Sequence, residues 1–406
     1  MRKFSLFLHR WTGLALAGFL VVIALTGSIV AFMEELDRLL NPALITVPVR
    51  DAPQLDAVEL RDRAAAMDPH ATFEYFYLKL HPGKSFRIAP RPKPDPETGK
   101  PYVLGYNELF LDPYTGEKLG ARDNSRALLP FIFNLHYGMA FGNRGVRFFG
   151  WLALVFTINC LLGVYLTFPM RWSRGWWRRW KPAWKIKFGG GLYRVSYDVH
   201  RAFGLWTLPL LLMLAWSGVL LNLPTVYIPV MKFVKLGPSG RAANVTPAAK
   251  ALGTDAPVLD WRAAIETGEK LMAEQGAREG FTVRQGDFII LNRYLCAYEY
   301  DVRTSMAMPG MTFGDAGVFI DANTGASRGF WSERTMPAGG KVSNWLVMLH
   351  RGTVFGLPMR ILLGVTGLVI AALSVTGVII WWKKRAPAAK RPSPGQQATP
   401  SEAESS

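Results

Sequence analysis

Four apolar runs punctuate a chain that is otherwise polar: Leu14–Phe32, Phe148–Phe168, Phe203–Leu221 and Ile361–Trp382. The third has no charged residue at all, and about 20 such residues at 1.5 Å rise cover the hydrocarbon core of a bilayer. The pattern therefore predicts four membrane-spanning helices. Between the first and second runs, and between the third and fourth, lie long polar blocks with short strand-like pieces separated by turns such as Pro90–Pro96. The predicted organisation is residues 1–33, N-terminal segment and first span; 34–130, first α+β block; 131–169, second span with a histidine segment before it; 170–196, basic loop; 197–223, third span. It continues with 224–342, second α+β block; 343–384, fourth span, again led by a histidine segment; and 385–406, a Pro/Ser/Ala-rich disordered tail.

Charge gives the spans a direction. The formal charge of +17 resembles a nucleic-acid binder's until it is located. Much of the excess lies in short segments flanking the spans, above all Arg174, Arg178, Arg179, Lys181, Lys185, Lys187 and Arg194 against the single acid Asp198. A short loop this basic is held in the cytoplasm. Both termini then fall inside and both polar blocks outside, as in an inner-membrane protein of a bacterium, with the lipid bilayer as partner and no nucleic acid. The loop's Trp172, Trp176, Trp177, Trp180 and Trp184 suit an interfacial belt better than base stacking. Half the residues are hydrophobic and 13% aromatic, yet mean hydropathy is only +0.13, as alternating spans and polar blocks require. The first run reads as a retained anchor because no small-residue cleavage site follows it. Two cysteines, Cys160 and Cys296, form no disulfide framework, and no C-x-x-C-H occurs.

Each span carries a histidine at one mouth: His9, His136, His200 and His350, with only His70 and His81 elsewhere. One such residue is readily an interfacial side chain; four of four is the pattern of a tetrapyrrole held between helices by paired imidazoles. Lacking covalent attachment, the group would be haem b. Topology sorts the histidines into an inner layer, His9 with His200, and an outer layer, His136 with His350, so two haems per chain are expected, each ligated from two helices. Arg10, Arg201 and Arg351 follow a ligand directly and suit carboxylate pairing with haem propionates, while lipid phosphate competes for the same side chains. Unbroken helices would put the layers roughly 30 Å or more apart, unless Pro358 kinks the approach to the fourth span. Met306, Met308 and Met311 offer either soft copper(I) ligands or a hydrophobic contact. No nucleotide or flavin motif is present, so electrons would arrive from quinol or a separate reductase.

The halves repeat. Ala52–Asp56 matches Ala256–Asp260, each opening a helix; Phe110–Gly116 matches Phe319–Gly325, a strand entering a turn closed by glycine; Leu8–Leu14 matches Val199–Leu205; and Leu135-His136 with Phe141-Gly142 recurs as Leu349-His350 with Phe355-Gly356. These motifs, over roughly residues 1 to 385, resemble the PepSY-associated transmembrane family. The resemblance implies a polytopic α-helical membrane protein of four transmembrane helices in two duplicated pairs, each pair interrupted by an extracytoplasmic α+β PepSY-like module. It further implies a role in iron acquisition, as a di-haem reductase of ferric siderophore or another ferric chelate in the periplasm. A PepSY-type regulatory or binding protein and an accessory siderophore or metal permease are the alternatives. The permease would need a polar path through Thr26, Ser28, Thr157, Asn159, Ser217, Thr366 and Ser374.

Overall fold

The computed structural model describes residues 1–385 apart from 172, 238–244, 247–249, 254–255, 310 and 312. Trp172 and the tail predicted to be disordered thus lie outside the described residues. Among the described residues three helices are long and apolar enough to cross a membrane, and a bent pair makes a fourth if its two helices count as one span. The first span is α1 (Arg2–Val30). The first polar block supplies α2 (Met33–Leu40), α3 (Pro42–Ile45), α4 (Ala57–Met67) and strands β1 (Ala71–Thr72), β2 (Tyr75–Tyr77), β3 (Phe86–Ile88), β4 (Arg91–Pro92), β5 (Glu108–Leu111) and β6 (Lys118–Arg122). Then come α5 (Leu128–Gly138), α6 (Gly142–Thr167) and, in the basic loop, α7 (Trp176–Trp180) with a 3₁₀ turn over Lys181–Trp184. The bent span is α8 (Leu192–Trp206) and α9 (Leu208–Asn222), and α10 (Pro224–Phe233) follows it. The second block contributes α11 (Trp261–Glu279), β7 (Val283–Asn292), β8 (Ala297–Thr304), β9 (Ala316–Asp321) and β10 (Ser327–Ser332). The chain re-enters the bundle through α12 (Ala338–Arg351) and α13 (Gly356–Arg385).

The apolar pattern predicts the third span as one straight helix; the structure breaks it at Thr207 with a bend of 71°. Pro209 is the cause. It has no N–H for the Leu205 carbonyl, and its ring crowds the preceding turn. The histidine segments also differ from simple extensions of their spans. His136 sits on α5 and His350 on α12, each a separate helix that turns back into its span. Left-handed residues make the turns: Met139, Ala140 and Gly142 in one, Gly352, Phe355 and Gly356 in the other. Pro358 lies in the first turn of α13, where a proline does no harm, so the break precedes it.

A larger correction concerns the polar blocks, which form one body and not two modules. The five-stranded antiparallel sheet runs β10-β9-β8-β7-β2, so its last strand comes from the first block, with Phe76 opposite Ile289. Leu60, Phe73, Phe76, Ile88 and Leu109 share one core with Trp261, Met272, Tyr298, Tyr300 and Val318. A strand of three residues cannot stand alone, and burying Phe76 on the second block's sheet completes both. Asp56 and Arg262 bridge the two blocks at 2.9 Å, and Glu74, 2% exposed, pairs with Arg293. The repeated motifs act locally as their residue types dictate. Asp56 and Asp260 each cap a helix by accepting a backbone N–H at 2.9 Å. Asp112 and Asp321 each accept turn N–H groups before a glycine at φ near +70°.

Candidate functional site

The four histidines fall into two pairs. His9 on α1 faces His200 on α8 with ring centroids 6.2 Å apart, and His136 on α5 faces His350 on α12 at the same 6.2 Å. With metal–imidazole bonds of about 2.0 Å and about 1.1 Å more to each ring centre, two imidazoles on opposite sides of one metal stand about 6 Å apart. The separation lies within the range of a direct ring contact and also equals that of two imidazoles on opposite sides of one metal.

Which nitrogen points into the gap is set by the other. His9 Nδ1 is held by the Asn159 carbonyl at 3.1 Å, His136 Nδ1 by the Ile23 carbonyl at 2.9 Å, and His200 Nδ1 by the Leu373 carbonyl at 2.9 Å. His350 Nδ1 meets Ser217 Oγ at 2.6 Å and the Leu214 carbonyl. A carbonyl acceptor requires Nδ1 to carry the proton, leaving the Nε2 lone pair for a ligand, as metal-bound histidines are held. Three rings also lie edge-on against a glycine of the helix that holds them: His9 on Gly163, His136 on Gly27, His200 on Gly377. A Cβ at Gly27 would come within 2.6 Å of His136 Cε1.

These contacts obey one numbering rule. The step that carries His9 to His200 also carries Ile23 to Leu214, Thr26 to Ser217 and Gly27 to Gly218. The step from His136 to His350 carries Asn159 to Leu373 and Gly163 to Gly377. Within each half, the first span supports the second span's histidine and the second span supports the first's. Sequence reading found the histidines but missed Gly27, Gly163, Gly377 and the supporting carbonyls; applying the two steps to every residue of the spans would have found them.

The layers are closer than unbroken helices imply. His9 and the Ile23 carbonyl that holds His136 lie on one helix, 14 residues apart, which is about 21 Å of rise. The turns after α5 and α12 fold the outer histidines back along their spans.

The arginines divide. Arg201 donates to the carbonyls of Ala183 at 3.1 Å and Pro182 at 2.9 Å and to Asp198 at 3.0 Å, so it fastens the tryptophan-rich loop to α8. Arg351 lies over the Phe313 ring at 5.6 Å, and Arg10 over Trp11 at 5.5 Å. Arg360, near the outer pair in sequence, pairs with Glu35. Met308 and Met311 pack with Met348, Val354 and Trp345, a hydrophobic contact. His70 stacks on Tyr102 at 4.2 Å. Partial burial and the Lys84 and Lys79 charges hold the His81 imidazole below its ordinary value. Among the described residues no group of three or more His, Cys, Asp or Glu could hold a bare metal ion.

Five of the polar residues in the spans turn their hydroxyls onto their own helices. Thr26, Thr157, Ser217, Thr366 and Ser374 each donate to a carbonyl one turn earlier on their own helix, at 2.6 to 2.9 Å. Ser28 donates to Gly364 at 2.8 Å, where α1 and α13 pack closely.

The family model described as the PepSY-associated TM region matches residues 6–384. The sequence is also similar to a Pseudomonas aeruginosa protein described as uncharacterized protein PA4219, at 25% identity over 289 residues. That alignment spans 64% of this chain and 64% of the relative's length.

Proposed function

The chain belongs to the PepSY-associated transmembrane family, and from the two imidazole pairs in its bundle we propose that it is a di-haem b inner-membrane reductase. It passes electrons outward to a ferric siderophore or another ferric chelate in the periplasm. The observation that carries this reading is the 6.2 Å separation of both pairs, with Nδ1 of every ring engaged and Nε2 left for iron.

His9 and His200 would hold the inner haem, and His136 and His350 the outer. When bound, such a group supplies a reversible one-electron iron couple with no coordination position open to substrate. The residues around it do the rest. The Asn159, Ile23 and Leu373 carbonyls keep the proton on Nδ1 and fix each ring plane. The tight packing of α1 against α13 holds the two halves, and so the two members of each pair, at constant distance. The fused β-rich body stands outside the membrane and walls the approach to the outer pair. A bulky chelate cannot enter the bilayer core, so it takes its electron there. One electron converts ferric to ferrous iron, which hard oxygen ligands hold less tightly, and the iron is released. Electrons enter from quinol or a separate cytoplasmic reductase at the basic end.

The test is a spectrum. Protein purified from haem-replete cells should show low-spin, bis-imidazole b-type absorbance, about two haems per chain, and the reduced form should be reoxidised by added ferric siderophore. A folded, colourless preparation would end the proposal.

A further inference from the structure

The inner pair lies at the basic end of the bundle, and its two flanks are not alike. On one flank Arg201 donates to the loop carbonyls of Ala183 and Pro182 and to the buried Asp198, 0% exposed, which also accepts the Lys187 backbone N–H. Trp180 closes that flank by donating from Nε1 to Thr167 Oγ1 at 3.0 Å. The numbering steps make Arg10 the counterpart of Arg201, and Trp381 the counterpart of Thr167. On the second flank no loop intervenes among the described residues. Trp381 lies one turn beyond Gly377, the glycine against His200. Its Nε1 is buried and has no hydrogen-bond partner among the described residues. Arg385 stands over the Trp381 ring at 4.6 Å and over Trp11, two residues after His9, at 5.5 Å.

A buried indole N–H without an acceptor is costly and calls for an explanation. Here it sits one turn from one member of the imidazole pair, beneath a guanidinium, and with the exposed Arg10 close by in sequence to His9. Among the described residues that corner supplies no acceptor for it.

Resting on the haem reading above, we propose that Trp381 Nε1–H, with Arg385 and Arg10, binds the propionate carboxylates of the inner haem. The macrocycle between His9 and His200 is thereby oriented with its acidic edge toward the α1–α13 flank. Arg201, whose donors serve the loop, takes no part.

The experiment titrates purified full-length chain from haem-deficient cells with ferric haem and with its dimethyl ester, which keeps the macrocycle but loses both charges. Bis-imidazole absorbance reports each site, and the outer site is the internal control. Trp381→Phe keeps the ring and removes the donor; it should weaken uptake of haem at the inner site about tenfold to a hundredfold and leave the ester's uptake unchanged. Arg385→Met should act in the same direction. Equal losses for haem and ester, or no loss for either, would overturn the assignment. Should Trp381→Phe disturb the outer site too, Arg385→Met alone decides by the same comparison. An otherwise wild-type chain carrying His200→Ala that keeps the inner absorbance would instead overturn the haem reading itself.

Discussion

Gly27→Ala is the sharpest probe of how the outer pair is built. In an isolated helix the change is favourable, by about 0.8–1.0 kcal/mol, because alanine loses less backbone freedom than glycine. The structure reverses that sign at one ring. The added Cβ would lie 2.6 Å from His136 Cε1 and 3.0 Å from Nδ1, whereas ordinary contact needs 3.4 Å or more. The imidazole must retreat by about 1 Å, while a metal–ligand bond tolerates about 0.2 Å. The same movement breaks the 2.9 Å bond from His136 Nδ1 to the Ile23 carbonyl, and loss of such a supporting contact typically costs 10–100-fold in metal affinity. Gly27→Ala should therefore bring haem content from about two per chain toward one, with the inner haem's absorbance intact. Gly163→Ala and Gly377→Ala place the new atom 3.1 and 3.3 Å from His9 and His200, which a shift of a few tenths of an ångström accommodates, so both should retain most of the inner haem. Gly18→Ala, with nothing within 4 Å, is the neutral control. The measurement is haem-to-protein ratio by haemochrome absorbance, alongside the spectrum. A Gly27→Ala protein that keeps both haems at unchanged affinity, or loses the inner one, would refute the reasoning.

Three further outcomes are expected. Replacing His9 or His200 by alanine should remove one and the same haem and replacing His136 or His350 the other; if His9 and His136 shared a haem, the pairing by layers would be wrong. In proteoliposomes of known orientation, stopped-flow absorbance should show that His350→Ala stops oxidation by ferric siderophore while reduction from the basic side persists, and that His200→Ala does the opposite. Normal siderophore-driven oxidation without His350 would exclude outward transfer through that site. Phe76→Ala, at the seam of the two polar blocks, should destabilise the extramembrane body by about 3 kcal/mol or more, seen as proteolysis of both blocks together; cleavage confined to residues 34–130 would mean that they fold apart.

The spans, the histidines and the motif pairs were legible because each rests on a local signal: an apolar run of bilayer length, a polar ring at its mouth, an aspartate at a helix start. What stayed hidden was set by contacts distant in sequence. Nothing in Tyr75–Tyr77 says that its partner strand lies at Phe288–Ile290, because a short alternating strand pairs with any edge of matching pattern. The break at Thr207 was within reach, since Pro209 stands in the apolar run, but apolarity alone outweighed it. Trp381 is one tryptophan among many near a membrane interface; only packing distinguishes a ring whose N–H meets no acceptor from one that meets a headgroup.

The same reciprocity bears on how the two haems would communicate. Because α1 carries His9 and also the carbonyl and glycine that hold His136, one rigid helix sets the distance between layers, and α8–α9 does so for His200 and His350. A step of about 21 Å between supports sets the scale of the separation between the two imidazole layers. The bend at Thr207 shortens α8–α9 end to end, while the turns after α5 and α12 let the outer rings meet the supports on α1 and α9. Each departure from a straight span thus lowers the separation that four unbroken helices would impose, and the sum is a bundle whose two imidazole layers lie within reach of one another.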